Sequence, residues 1–382
     1  MKKITIKQRE YDVKKGIEFR RGKAKKLPLC NRSRVNKYTD HAREWIDHHF
    51  HEALGLFINK NKAIITLPRV MNFSSEYDTT ILYVTAIRIL TDNNSGKPSG
   101  FLKLQRVNFN ELEKISTSAA LVLTAELSKW DDSIIQRLRP LVKDWKPHIV
   151  KQFYELGFFD LFKNNPLQGY ELEKDEKSNL RLVKYIKGEC GDSKKARLLR
   201  EEVCTIVGDS IDKWTFLRSG LDEAITNVTQ HAYPDKNNVS TVDKNWYLTG
   251  SYNKSKNILK VVFYDQGVGI PKTLPTSGVW ERVQQILYKL PSFEQKNDEM
   301  LLKAAVELDR TSTGANDRGK GLHDLLEFIK KRGNGNLSII SRRGLYRFTL
   351  KDSDAKIKTV GFENPLLGTL IIWSVALTHP AE

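Results

Sequence analysis

Apolar and polar positions recur along this chain in two rhythms, one helical and one extended. From residue 39 onward Ala42, Trp45, Ile46, His49, Phe50, Ala53 and Leu54 fall on one face at helical spacing, which predicts a helix over 39–54. Residues 63–68 are apolar and end at Pro68, the pattern of a strand. The stretch 79–90 is largely apolar and predicts a buried helix, and 92–100, rich in Asn, Gly, Ser and Pro, predicts a loop. Residues 101–107 alternate as a strand, whereas 116–127 and 147–162 read as helices. Further on, 194–218 predicts one long helix. Residues 246–252 and 258–264 predict strands joined by a turn at 253–257, and 336–341, 345–350 and 369–376 predict three more.

Strands separated by helices imply an α/β class, an α+β sandwich in which sheets are backed by helices. At 382 residues, with roughly 100–200 residues per domain, two or three domains are expected. The boundaries predicted are an arm at 1–38, an α/β domain at 39–165, a linker at 166–194 and a larger domain at 195–382. The linker is read from Asn164-Asn-Pro-Leu-Gln-Gly169 and the charged run that follows.

Charge changes this picture at one end. The chain carries +17 overall, and residues 1–40 hold 14 Lys or Arg against 4 Asp or Glu. Such an arm either attracts nucleic acid or another polyanion, or is a solvated leader. The cysteines, Cys30, Cys190 and Cys204, are sparse and far apart, which predicts a reducing, cytoplasmic setting. The apolar run 370–377 is far below the roughly 20 residues a bilayer requires, and no apolar segment follows Met1-Lys-Lys, so neither membrane nor secretion is expected.

Candidate chemistry lies in three segments of the last domain. In Leu221-Asp-Glu-Ala-Ile-Thr-Asn-Val-Thr-Gln-His-Ala-Tyr233 a helix would gather Leu217, Leu221, Ala224, Ile225, Val228 and Ala232 into one apolar stripe. Glu223, Asn227 and His231 then form a row on the neighbouring face. Asn227 would offer a neutral oxygen to Mg²⁺, and Glu223, one turn away, could deprotonate a water or hydroxyl attacking a γ-phosphoryl group. In the second segment, Asp265-Gln-Gly-Val-Gly269, a strand delivers a carboxylate able to accept the adenine amino proton, and Gly267 and Gly269 let backbone approach the base. In the third, Arg318-Gly-Lys-Gly-Leu322, Gly319 and Gly321 open a helix whose N–H groups suit an anion, with Arg318 and Lys320 adding positive charge. Each segment alone has an ordinary surface reading; their order on fitting elements points to ATP with Mg²⁺.

These residues resemble the GHKL ATPase superfamily of DNA gyrase B subunits, mismatch-repair ATPases, sensor histidine kinases and anti-sigma-factor serine kinases. Glu223, Asn227 and His231-Ala-Tyr233 are similar to its N box, nearest in their ending to the anti-sigma kinases. Asp265, Gly267 and Gly269 are similar to its G1 box, and Gly319, Gly321 and Leu322 to its G2 box. Gly368-Thr369 is similar to the late Gly-Thr whose hydroxyl supports the adenine-binding Asp. The resemblance implies a Bergerat fold with a mixed sheet backed by helices, and a flexible lid between Ile270 and Arg318. In this sequence that segment is long and contains helical stretches at 281–290 and 299–308.

The N-terminal half offers less. Residues 102–127 resemble the centre of a STAS domain, with Ser116-Thr-Ser-Ala-Ala-Leu121 where such domains carry Asp-Ser-Ser-Gly, and 149–162 resemble its C-terminal helix. The Asp and Gly of that turn are missing, and an unrelated α/β domain fits equally. His41, His48, His49 and His51 cluster, yet they lie far from the ATPase motifs and lack cysteine partners, so they read as a helix face. Three outputs follow. The first is an ATP-dependent switch acting on a protein partner or on its own N-terminal domain. The second is a serine/threonine kinase with Ser116, Thr117 or Ser118 as an acceptor. The third is a polyanion-binding module with ATP as ligand.

Overall fold

The computed structural model describes residues 40–49, 55–92, 100–130, 134–135, 138, 140–171, 179–234, 244–277, 280–292, 294–311 and 321–377. The arm, most of the expected loop 92–100 and the Arg318-Gly319-Lys320 triplet lie outside them, as does the end of the expected first helix beyond 49. In chain order the N-terminal half contains α1 (His41–His49), β1 (Leu56–Asn59), β2 (Lys62–Thr66), β3 (Val70–Met71), α2 (Tyr77–Asp92), β4 (Lys103–Asn108), β5 (Lys114–Ile115), α3 (Thr117–Leu127) and α4 (Pro147–Leu156). The C-terminal half adds β6 (Leu180–Leu182), β7 (Ile186–Glu189), α5 (Leu198–Val207), α6 (Trp214–Asn227), β8 (Asn245–Asn253) and β9 (Ile258–Asp265). It continues with α7 (Ile270–Thr273), α8 (Trp280–Leu287), α9 (Asp298–Thr311), α10 (Gly321–Arg332), β10 (Gly335–Lys351) and β11 (Asp354–Ala376).

The result is the expected α+β class. Its backbone is a six-stranded sheet in the order β10-β11-β9-β8-β6, with β7 also paired to β8. The pairings described in it are all antiparallel. Mixed pairing occurs in the small sheet β1-β2-β4, where β2 runs antiparallel to β1 and parallel to β4.

Both faces of the large sheet are covered, so its central strands are apolar on both sides. Leu259, Val261 and Phe263 of β9 join α5, α6 and α10 in one core, through Leu199, Leu217, Leu221 and Leu325 among others. Val262 and Tyr264, at alternate positions on the same strand, join the other core with Ile81, Ile87, Leu121 and Phe153. The N-terminal half therefore shares its hydrophobic core with one face of the C-terminal sheet.

Several boundaries differ from expectation. Residues 180–189, within the expected linker, supply two strands on the sheet edge, and Tyr185 N–H donates to the Leu156 carbonyl at 2.9 Å. The single helix expected over 194–218 is broken, because Gly208 closes α5 in the left-handed conformation (φ 85°) and a bend at Asp209 and a turn at 212–213 precede α6. The strands expected at 336–341 and 345–350 are one strand with a register shift at 341–344, where Arg342 has φ 53°. Beyond that shift β10 pairs only with the first part of β11. This ribbon carries Tyr346 and Phe348 into the core that holds Leu302 and Val306 of α9.

The expected helices after Ile270 are present as α8 and α9. With Leu274 they form a small core of Val283, Leu287, Leu301, Ala304, Ala305 and Leu308. Asp298 fastens this layer to the register shift: its carboxylate accepts from Arg343 N–H at 2.9 Å and pairs with Arg342 at 3.4 Å. That part of the expected lid is thus a packed helical layer.

Candidate functional site

The predicted stripe on α6 forms as expected. Leu217, Leu221, Ala224, Ile225, Val228 and Ala232 are all buried. Glu223 and Asn227 are half-buried beside them, and His231 is exposed. After Asn227 the helix widens into a π-helical turn, Val228–Ala232, a distortion often found at functional sites.

That turn packs directly on the second segment. Val268 N–H donates to the Ala232 carbonyl at 2.9 Å. A Cβ on Gly267 would lie 2.5 Å from both the Cβ and the carbonyl oxygen of Ala232, so only glycine permits the approach. Tyr233 completes the join: its hydroxyl donates to the Asn245 carbonyl at 2.9 Å and accepts from Gln266 N–H at 3.3 Å.

Asp265 sits at the end of β9, directly opposite Thr369 on β11, and both are buried. The carboxylate accepts from Gly267 N–H at 2.8 Å and from the Thr369 hydroxyl. Burial pushes this carboxyl up to about 7, with the Gly267 and Thr369 hydrogen bonds acting the other way. The turn behind it is equally tight. Gly368 (φ 79°) lies against the Asp265 carbonyl, and Ser341 Oγ lies 3.0 Å from Thr369 Oγ1. Ser341 also donates to the Gly368 carbonyl and accepts from Ile270 N–H, each at 3.0 Å, which ties the bend at Gly269 to β10 and β11.

Of the third segment only Gly321, the first residue of α10, and Leu322 lie among the described residues. The helix it opens packs along α6. Asp324 accepts from the Ser219 hydroxyl at 2.9 Å, and a Cβ on Gly220 would lie 3.2 Å from the Asp324 carbonyl. Burial, with Asp324 nearby, pushes the Glu223 carboxyl up, while a hydrogen bond from the Asn227 side chain opposes the shift. The amide nitrogen of Asn227 is thereby engaged with Glu223, which leaves the acceptor capacity of its carbonyl oxygen.

The first two segments thus meet, and α10, which the third segment opens, packs along α6. Glu223, Asn227, Asp265, Gly267, Gly269 and Thr369 occupy adjoining elements, with the start of α10 beside Glu223. Ala232 and Tyr233 were expected within the first motif but without a contact of their own to the second, and Ser341 and Asp324 were not expected as parts of the site. A signal was present for the first two, which end the motif-bearing segment; Ser341 and Asp324 are placed by tertiary packing.

The hydroxyls named as acceptors lie elsewhere. Ser116 caps α3, accepting from Ala119 N–H at 3.2 Å. Thr117 and Ser118 are buried, and Thr117 Oγ1 lies 2.8 Å from Ser251 Oγ on β8. Among the described residues no helix is long and apolar enough to cross a membrane. No protein-family model matches the chain, and no curated protein matches it.

Proposed function

We propose that the C-terminal half binds ATP with Mg²⁺ as a GHKL-type domain and hydrolyses it slowly, working as an ATP-dependent switch on the N-terminal half or on a protein partner. The observation that supports this reading is the seating of Ala232, at the end of the turn that follows Asn227, against Gly267–Val268 of the Asp265 bend. In this reading Asp265, backed by Thr369, accepts the adenine amino proton. Gly267 and Gly269 let backbone approach the base, and Asn227 presents its carbonyl oxygen to Mg²⁺. The triphosphate would lie toward Arg318, Gly319, Lys320 and the N–H groups that open α10 at Gly321 and Leu322, with His231 at the rim.

Glu223 suits the role of general base, because burial raises its basicity above that of a free carboxylate. It would take a proton from water as the water oxygen bonds the γ-phosphorus and the bond to the β-phosphate oxygen breaks. Burial of Thr117 and Ser118 favours water over those in-chain hydroxyls as the acceptor. The basic arm would add an electrostatic hold on a polyanionic partner.

Incubation of the purified chain with γ-labelled ATP tests the reading. Free phosphate that depends on Mg²⁺ and on Glu223 is expected; acid-stable phosphoprotein would establish the kinase output instead. Neither product, together with no bound nucleotide, would overturn it.

A further inference from the structure

Behind the candidate site lies a charged network that the chemistry above does not use. Glu126, near the end of α3, is only 2% exposed and is the one carboxylate in a helix whose every residue is buried. Arg88 of α2 grips it in two hydrogen bonds, at 2.9 Å from Nε to Oε2 and 2.6 Å from Nη2 to Oε1. Burial pushes the Glu126 carboxyl up, but the Arg88 charge and hydrogen bonds, helped by Lys129 and Gln266, more than offset it and hold it below the ordinary value. It is therefore an anion in the interior.

From the N-terminal half this anion reaches both strands that hold Asp265. Gln266, the residue after Asp265, passes its side chain through to the opposite face and donates from Nε2 to Glu126 Oε1 at 2.9 Å. The residue before Asp265, Tyr264, brings its hydroxyl to 3.5 Å from the same oxygen and donates at 3.0 Å to the carbonyl of Leu367, which precedes the Gly368-Thr369 turn. Asp265 is thus flanked on the chain by two residues that both converge on Glu126. Gln266 is itself buried, and apart from Glu126 its backbone touches Tyr233 at the rim of the site.

We propose that Glu126 is a positioning residue for the Asp265–Gly269 bend, and that Gln266 and Tyr264 couple ligand occupancy of that bend to helices α2 and α3. Glu126 touches no ligand. It sets where the bend lies, because moving Gln266 would break a charge-assisted hydrogen bond that nothing else in a dry interior replaces. By reciprocity, whatever tightens the bend tightens α3, and whatever shifts α3 alters affinity at the bend. This rests on the nucleotide reading above, and names the N-terminal half as the element the ligand acts upon.

Amide hydrogen exchange with and without Mg-ATP, on the intact parent chain and on Gln266→Leu, tests it. In the parent, ATP is expected to slow exchange about tenfold both at 265–269 and in α3. Gln266→Leu is expected to weaken ATP binding about tenfold and to lose the α3 response. Protection at 265–269 with α3 unchanged in the parent would overturn the coupling and leave nucleotide binding intact. Absence of any ATP effect at 265–269 would remove both. Should Gln266→Leu fail to fold, Gln266→Asn, which shortens the reach by one methylene, gives the same contrast, and the parent measurement alone still decides.

Discussion

The two ends of the candidate site are built differently. Around Asp265 most groups are buried and hydrogen-bonded, though Gln266 Oε1 is buried without a partner among the described residues: the carboxylate is held by Gly267 and Thr369, Ser341 ties the turn to β10, and the Arg88–Glu126 pair braces it from behind. Around Asn227 the groups are half-buried or exposed, and the helix loosens into a π turn. On the proposed reading, the difference teaches that the Asp265 end would be preorganised to select a ligand, whereas the Asn227 end would meet charge arriving with one. Preorganised donors and acceptors carry selectivity because they reorganise little on binding. Groups open to water can release it to a hydrated cation and its phosphates.

Substitutions can break this contrast, and the largest effect is expected from behind the Asp265 end. Arg88→Met strips the counter-ion from a buried anion and is expected to destabilise the fold by about 3–5 kcal/mol in denaturant unfolding at neutral pH. The sign of its pH dependence follows from Glu126, whose folded value lies below the ordinary 4.5. The stability the ion pair gives the parent is fully present above that ordinary value and is lost as pH falls through the folded one. The gap between parent and Arg88→Met should therefore narrow on acidification.

At the other end, Glu223→Gln should cut hydrolysis about 10²–10⁴-fold while leaving the Kd for Mg-ATP within about twofold, because a general base acts in the transition state. A smaller effect belongs to Thr369→Val. It removes a hydroxyl from a buried carboxylate and should weaken adenine nucleotides by about 1–2 kcal/mol, read by calorimetric titration.

The smallest is a pH effect that only the Asp265 end should show. Its carboxyl, near 3.8 when free in the unfolded chain, titrates at about 7 when folded and without ligand. The folded state thus holds an extra proton between those values, so this group lowers stability as pH rises through that window. In the proposed site the ionised form would be the acceptor for adenine, so affinity should rise about tenfold from pH 6 to pH 8, with a proton released on binding. A pH-independent affinity would mean that Asp265 is already ionised or does not touch the base.

The parts of this arrangement legible in the sequence were those written in local spacing. The stripe from Leu217 to Ala232, the β8–β9 hairpin and the delivery of Asp265 at a strand end all follow from period and turn residues. What was hidden depends on distant packing. β6 and β7 are short edge strands, and Ile186-Lys-Gly-Glu189 has no alternation to mark it. Gly188 instead faces the Trp246 ring, an approach no spacing announces. The broken helix over 194–218 was readable from Gly208, whose left-handed φ ends α5. Arg88 and Glu126 carried a signal that periodicity does not weigh: each is a charge within the mainly apolar stretch of its helix, and such charges must be paired. Their pairing partner, and the reach of Gln266 to meet them, arise only once the sheet closes over α2 and α3.

The most direct measurement is a calorimetric titration of the intact chain and of Asp265→Asn with Mg-ATP and Mg-GTP. The parent is expected to prefer the adenine nucleotide, and Asp265→Asn to bind it about 10–100-fold more weakly with that preference gone, since a charge-assisted hydrogen bond is removed. Equal binding of Mg-ATP by the two proteins, or no binding by the parent, would contradict the account.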